Sequence, residues 1–105
     1  MARDFRKMVQ EMLEAQTVFR RTRSDILRKR MLSAESEVDA FLKRHLREGE
    51  RGTFKGKVKD MRDTQKLFLS PHRSDAMKKL LGMVERDVRK ELETYFANVE
   101  QPKLF

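Results

Sequence analysis

The chain has 105 residues, a formal net charge of +8, 40% charged residues and 38% apolar ones, with a mean hydropathy of −0.80. That length allows one small domain at most, and no apolar run approaches the roughly 20 residues of a membrane-spanning helix. The absence of cysteine excludes disulfides, thiolate nucleophiles and Cys-ligated zinc.

The apolar residues recur with helical spacing, which sets the chain apart from disordered sequences of similar charge. The first segment, Arg3 to about Met31, repeats Phe5, Met12, Phe19 and Ile26 every seven residues. Met8, Ala15 and Thr22 follow three places behind, and Val9 and Leu13 widen the stripe. This pattern predicts a long helix packed lengthwise on another. A break is expected near Leu32–Ser33, with Ser33 capping a second helix from about Ala34 to Arg47. Val38, Phe41, Leu42 and His45 line that second stripe, which places His45 partly in the core.

Gly49, Gly52 and Gly56 follow closely, so residues 48–57 read as a flexible basic loop. Within it Lys55-Gly-Lys57-Val-Lys59 alternates as an extended stretch would. A thinner stripe of Val58, Met61, Gln65 and Phe68 predicts a short third helix, about 57–69. Ser70-Pro71 is read as its stop and as the start of a fourth, 71–98. Met77, Leu81, Val84, Val88, Leu92, Tyr95 and Val99 form its seam, with Leu80 and Phe96 beside it; Gly82 is absorbed inside. The methionines on these seams, Met8, Met12, Met61 and Met77, read as core fillers.

The expected fold is therefore all-α: two long helices, the first and fourth segments, packed antiparallel, with shorter helices and the Gly-rich loop between them. Residues 1–100 read as a single domain. No internal repeat and no low-complexity tract is read from the sequence.

Candidate chemistry is sparse. Two histidines, His45 and His72, are too few for a metal site of three or four ligands. Asp60, Asp63 and Asp75 sit among Lys and Arg, where ion pairs account for them. The glycines lack phosphate-loop spacing. No catalytic residue, cofactor or metal is expected, nor a small-molecule substrate.

The basic residues carry the functional expectation. Arg20, Arg21, Arg23, Arg28, Lys29 and Arg30 crowd one stretch against the single acid Asp25; Lys55, Lys57, Lys59, Arg62 and Lys66 crowd another. Such segregation suits a polyanion, because each cation displaces counterions from phosphates. The chain thus reads as a small non-enzymatic accessory factor on nucleic-acid backbones, DNA or RNA, in an intracellular, cytoplasmic setting. The alternative is an interaction subunit or adaptor, its seams completed by a homodimer or by another chain, its basic blocks facing an acidic protein.

Gln101-Pro102-Lys103-Leu104-Phe105 cannot continue the last helix through Pro102. Gln101, Leu104 and Phe105 resemble the Gln-x-x-Leu-Phe peptide by which bacterial replication and repair proteins bind the DNA sliding clamp. The resemblance implies a docking motif with Leu104 and Phe105 in an apolar pocket. The competing reading is a tail that folds back over the small core.

Overall fold

The computed structural model describes residues 4–69 and 74–100, with side chains through Asn98. They form four helices: α1 (Phe5–Thr22), α2 (Asp25–His45), α3 (Phe54–Phe68) and α4 (Asp75–Glu100). Among the described residues there is no strand, and no helix is long and apolar enough to cross a membrane. The chain divides into two compact units, residues 1–47 and 48–105. This division falls inside the span that the sequence pattern presents as one domain.

Each unit is an antiparallel helical hairpin. In the first, α1 packs on α2, and Phe5 at one end stacks on Phe41 at 4.4 Å between ring centroids. In the second, α3 packs on α4. The seams of the first and fourth segments, expected to face each other, are instead filled within each unit by the neighbouring helix along the chain.

The first helix ends well before the expected Leu32–Ser33 break. Asp4 caps its start through Oδ1, which accepts from the Arg6 amide at 3.0 Å. At its end Arg23 turns left-handed (φ 54°), and its N–H donates to the Phe19 carbonyl at 2.7 Å. That is a C-cap of the kind usually made by glycine. Ser24 then caps α2, its Oγ accepting from the Leu27 amide at 3.1 Å. Two residues therefore make the whole turn, and α2 runs unbroken through Ser33. Met8, Val9, Met12, Leu13 and Ala15 of α1 are buried against Val38 and Leu42 of α2. Ile26, the fourth member of the seven-residue series, lies beyond the turn and is 81% exposed.

The second hairpin begins at Phe54, so Lys55, Gly56 and Lys57 lie in the first turns of α3 and form neither an extended stretch nor a loop. Thr53 caps the helix, accepting from the Gly56 amide at 3.3 Å. Gly56 is buried because the preceding connector folds onto it: a Cβ there would meet the Arg51 carbonyl oxygen at 2.5 Å and Arg51 Cα at 2.6 Å. Ser74 caps α4, accepting from the Met77 amide at 3.2 Å. Val58 and Met61 are buried with Leu81, Val88 and Leu92, as the helical spacing predicts. Met77, Val84, Tyr95 and Phe96 are half-buried. The Ser70-Pro71 boundary, His72 and the Val99 side chain lie outside the described residues.

Compared position by position, the hairpins are two versions of one unit, so the chain does contain an internal repeat, contrary to expectation. Counting 49 residues on from α1, Phe5, Val9, Met12, Gln16 and Phe19 recur as Phe54, Val58, Met61, Gln65 and Phe68. One extra residue in the second turn shifts the count to 50. Ser24, Asp25, Lys29, Glu35, Val38 and Leu42 then recur as Ser74, Asp75, Lys79, Glu85, Val88 and Leu92. Burial follows the same correspondence. Val9 and Val58, Met12 and Met61, and Val38 and Val88 are each fully enclosed. A side-chain bond is copied as well. Gln16 Nε2 donates to Glu35 Oε2 at 2.7 Å, and Gln65 Nε2 donates to Glu85 Oε2 at 2.8 Å.

Candidate nucleic-acid interface

The first basic block is built by the turn between α1 and α2. Arg20 and Arg21 occupy the last turn of α1, and Arg23 is the left-handed linking residue. Arg28, Lys29 and Arg30 sit in the second turn of α2. On one uninterrupted helix these six side chains would wrap the cylinder. The break at Arg23–Ser24 folds the segment back on itself instead. All six then lie within about 9 Å, measured along the helix axes, of one end of the hairpin. All six are exposed. Arg21, Arg23, Arg28, Lys29 and Arg30 make no ion pair with any described residue. Asp25 is the one acid in this stretch and lies in the first turn of α2, where it complements the helix dipole.

The second block is differently placed. Lys55 Nζ lies 2.9 Å from a Glu50 carboxylate oxygen. Lys57 reaches across to α4 and pairs with Glu91 at 2.8 Å and Asp87 at 3.6 Å. The hydrogen bond to Glu91 raises the Lys57 pKa above lysine's ordinary 10.5, a gain that partial burial offsets and the charges of Glu91 and Asp87 reinforce. Lys59 bridges to Asp63 one turn on, at 2.7 Å. Arg62 is turned inward, 6% exposed, and its Nη1 donates to Gln65 Oε1 at 2.7 Å. Lys66, in the last turn of α3, is exposed. Of these four, Lys57 ties α3 to α4, Lys55 and Lys59 pair with acids near them in the chain, and Arg62 is turned inward.

The signal for that difference was long-range. The carboxylates that neutralise Lys57 lie 30 or more residues away in sequence, on another helix. What sequence reasoning missed on the positive side is Lys78, Lys79 and Arg86, exposed on the outer face of α4. Together with Asp75, Gly82 and Met83 they line a shallow, open depression near the turn end of the second hairpin.

The remaining candidates resolve as follows. His45 is exposed and does not enter the core, its ring resting against Phe41 at 4.4 Å. Asp63 is held by Lys59. Among the described residues no three His, Asp or Glu side chains are grouped to hold a metal ion. Gln101, Leu104 and Phe105 lie outside the described residues. No protein-family model, curated protein or solved structure matches the chain.

Proposed function

We propose that this protein is a small, non-enzymatic accessory factor that docks on nucleic-acid backbones through the turn end of its first hairpin. The observation that carries the reading is the concentration of Arg20, Arg21, Arg23, Arg28, Lys29 and Arg30 around one two-residue turn, exposed, with Asp25 the only acid in that stretch. A solvated surface that only keeps a protein soluble mixes its signs. Cations gathered at one tip attract a phosphate chain and gain counterion-release entropy when they meet it. Arg dominates the cluster, and its planar fork suits phosphate oxygens better than a lysine ammonium does. Such contacts fix position on the backbone and carry no base sequence, so the binding is backbone-directed.

The test is fluorescence anisotropy with labelled duplex DNA, single-stranded DNA and RNA at low and near-physiological salt. Binding that weakens steeply with salt, and weakens again when Arg20, Arg21, Arg23, Arg28, Lys29 and Arg30 become Gln, supports the reading. An absence of binding at low salt overturns it. Whether DNA or RNA is preferred then follows from the same titrations.

A second reading, an adaptor completed by a partner chain or a second copy, draws on a different observation. Leu67, Leu69, Leu80 and Met83 are each at least half exposed around the turn end of the second hairpin. Apolar side chains gathered at one place are a mark of protein contact. Sedimentation velocity decides for the homodimer: a concentration-dependent shift supports it, and a monomer at all concentrations leaves only a heterologous partner. The clamp-docking tail of Gln101, Leu104 and Phe105 belongs to the first reading as a tether.

A further inference from the structure

We propose that the chain is bivalent: each hairpin carries one copy of the same backbone contact at its turn end, centred on Arg28-Lys29 in the first and Lys78-Lys79 in the second. This inference rests on the nucleic-acid reading above and adds to it a second site, which neither basic block of the sequence includes.

The argument starts from the internal duplication. Buried matches between the copies explain themselves, since Val9 and Val58 or Val38 and Val88 fill the same space. Exposed matches do not, because surface positions drift freely unless something holds them. At the turn end the surface is held. Ser24-Asp25-x-x-Arg28-Lys29 recurs as Ser74-Asp75-x-x-Lys78-Lys79, and all four cations are exposed. Ser24 and Ser74 cap their helices, which accounts for the serines. Capping does not account for the paired cations one turn later.

A second surface feature is kept beside them. Val18, in the last full turn of α1, corresponds to Leu67 in α3, and both are largely exposed, 43% and 57%. An aliphatic side chain left in water twice at one position marks a covered surface. The flanks differ in sign: Glu11, Glu14 and Glu37 correspond to Asp60, Asp63 and Asp87, all exposed acids. The copied pattern is thus a pair of cations at the tip with three acids kept on the flanks, of which Asp63 and Asp87 pair with Lys59 and Lys57 in the second hairpin. In the second hairpin Lys78 and Lys79 also line the shallow depression with Asp75, Gly82, Met83 and Arg86. By contrast Lys43 and Arg44, exposed cations of α2, correspond to Glu93 and Thr94, so that surface is not kept.

The experiment uses the full chain and three charge-matched variants: R28Q/K29Q, K78Q/K79Q and K43Q/R44Q. Each removes two exposed cations, so net charge alone affects them equally. Circular dichroism checks that each remains helical. Anisotropy with duplex DNA across salt then gives the slope of log affinity against log salt for each. The expected result is a slope about 1.8 shallower for R28Q/K29Q and for K78Q/K79Q, two phosphates at about 0.9 each. K43Q/R44Q keeps the wild-type slope. If only R28Q/K29Q changes the slope, binding is confined to the first hairpin and bivalence is refuted while the function stands. Bivalence is equally refuted if neither pair changes the slope, or if K43Q/R44Q changes it as much. No binding by the wild type at low salt removes both readings and points to an acidic protein partner.

Discussion

Removing both partners of the copied Gln–Glu bond costs less than the sum of removing each. Gln16 is 4% exposed, and its amide donates to Glu35 Oε2 at 2.7 Å, a short bond to a charged acceptor. A bond of this kind contributes about 1.5–3 kcal/mol. Glu35→Leu takes away this acceptor of a buried amide. Gln16→Leu takes away the donor that orients a half-buried carboxylate. Each is expected to lose about 1.5–3 kcal/mol. The double variant Gln16→Leu/Glu35→Leu replaces the polar pair by apolar groups of similar size, and it is expected to lose much less than the sum, with a coupling energy of about 1–2 kcal/mol. In urea unfolding followed by circular dichroism, a loss of about 2 kcal/mol moves the midpoint by about 1 M. The second hairpin supplies an internal control. There Gln65 also accepts from Arg62, a guanidinium only 6% exposed, so Gln65→Leu weakens the support of a buried charge as well. It is expected to cost more than Gln16→Leu. Losses at Gln16 and Glu35 that add to within about 0.5 kcal/mol, or a Gln65→Leu variant no worse than Gln16→Leu, would refute the reasoning.

Four further outcomes are expected. Gly56→Ala destabilises by about 1–3 kcal/mol, because backbone atoms of Arg51 occupy the place of the new Cβ, whereas Gly82→Ala, with nothing within 4 Å, stabilises by about 1 kcal/mol; paired thermal melts compare them. Ser24→Ala removes the α2 cap and costs about 1 kcal/mol, with faster hydrogen exchange at Leu27 as its local signature. The Lys57 ammonium titrates above lysine's ordinary 10.5 because its charged form is held by Glu91, so the pair's stabilisation is complete below 10.5 and fades as pH rises through the raised folded value; nitrogen-detected NMR of Lys57 in Glu91→Gln should show the midpoint fall back toward 10.5. Deleting Gln101 to Phe105 is expected to abolish binding to a bacterial sliding clamp in a pull-down with purified clamp, and unchanged binding ends that reading.

The helical class and most of the core were legible because period-3.6 burial is written locally. Met8, Met12, Leu13, Val88 and Leu92 could be placed with no knowledge of their partners. The first turn was not legible, because the seven-residue series continues through it. Phe19 and Ile26 keep the spacing on either side of Arg23, and an arginine in the left-handed region gives no sequence warning as glycine would. The true signal was Ser24-Asp25, a cap and a first-turn acid, which is weaker than an apolar stripe. Glycine density misled in the opposite sense. Gly56 reads as a loop residue but is a helical one, demanded by the connector that lies across it. The first basic block was readable because its cations are neighbours in the chain. The pairing of Lys57 in the second was not legible, because Glu91 and Asp87 belong to a distant helix. The duplication was hidden by the extra residue in the second turn and by exchanges that keep size or charge without keeping identity, such as Glu14 for Asp63 or Val18 for Leu67.

Pairing each helix with its immediate successor also sets how the chain reaches this state. Contacts such as Gln16 with Glu35 and Gln65 with Glu85 close loops of about 20 residues, so little chain entropy is lost before the first favourable contact forms. Chains dominated by such near-neighbour contacts fold in microseconds to milliseconds. Synthesis adds only about 5–20 residues each second. The first 47 residues therefore have time to form their own core before Phe54 leaves the ribosome. Early folding of this kind keeps one copy of the repeated pattern from mispairing with the other, the characteristic hazard of a chain that contains the same hairpin twice.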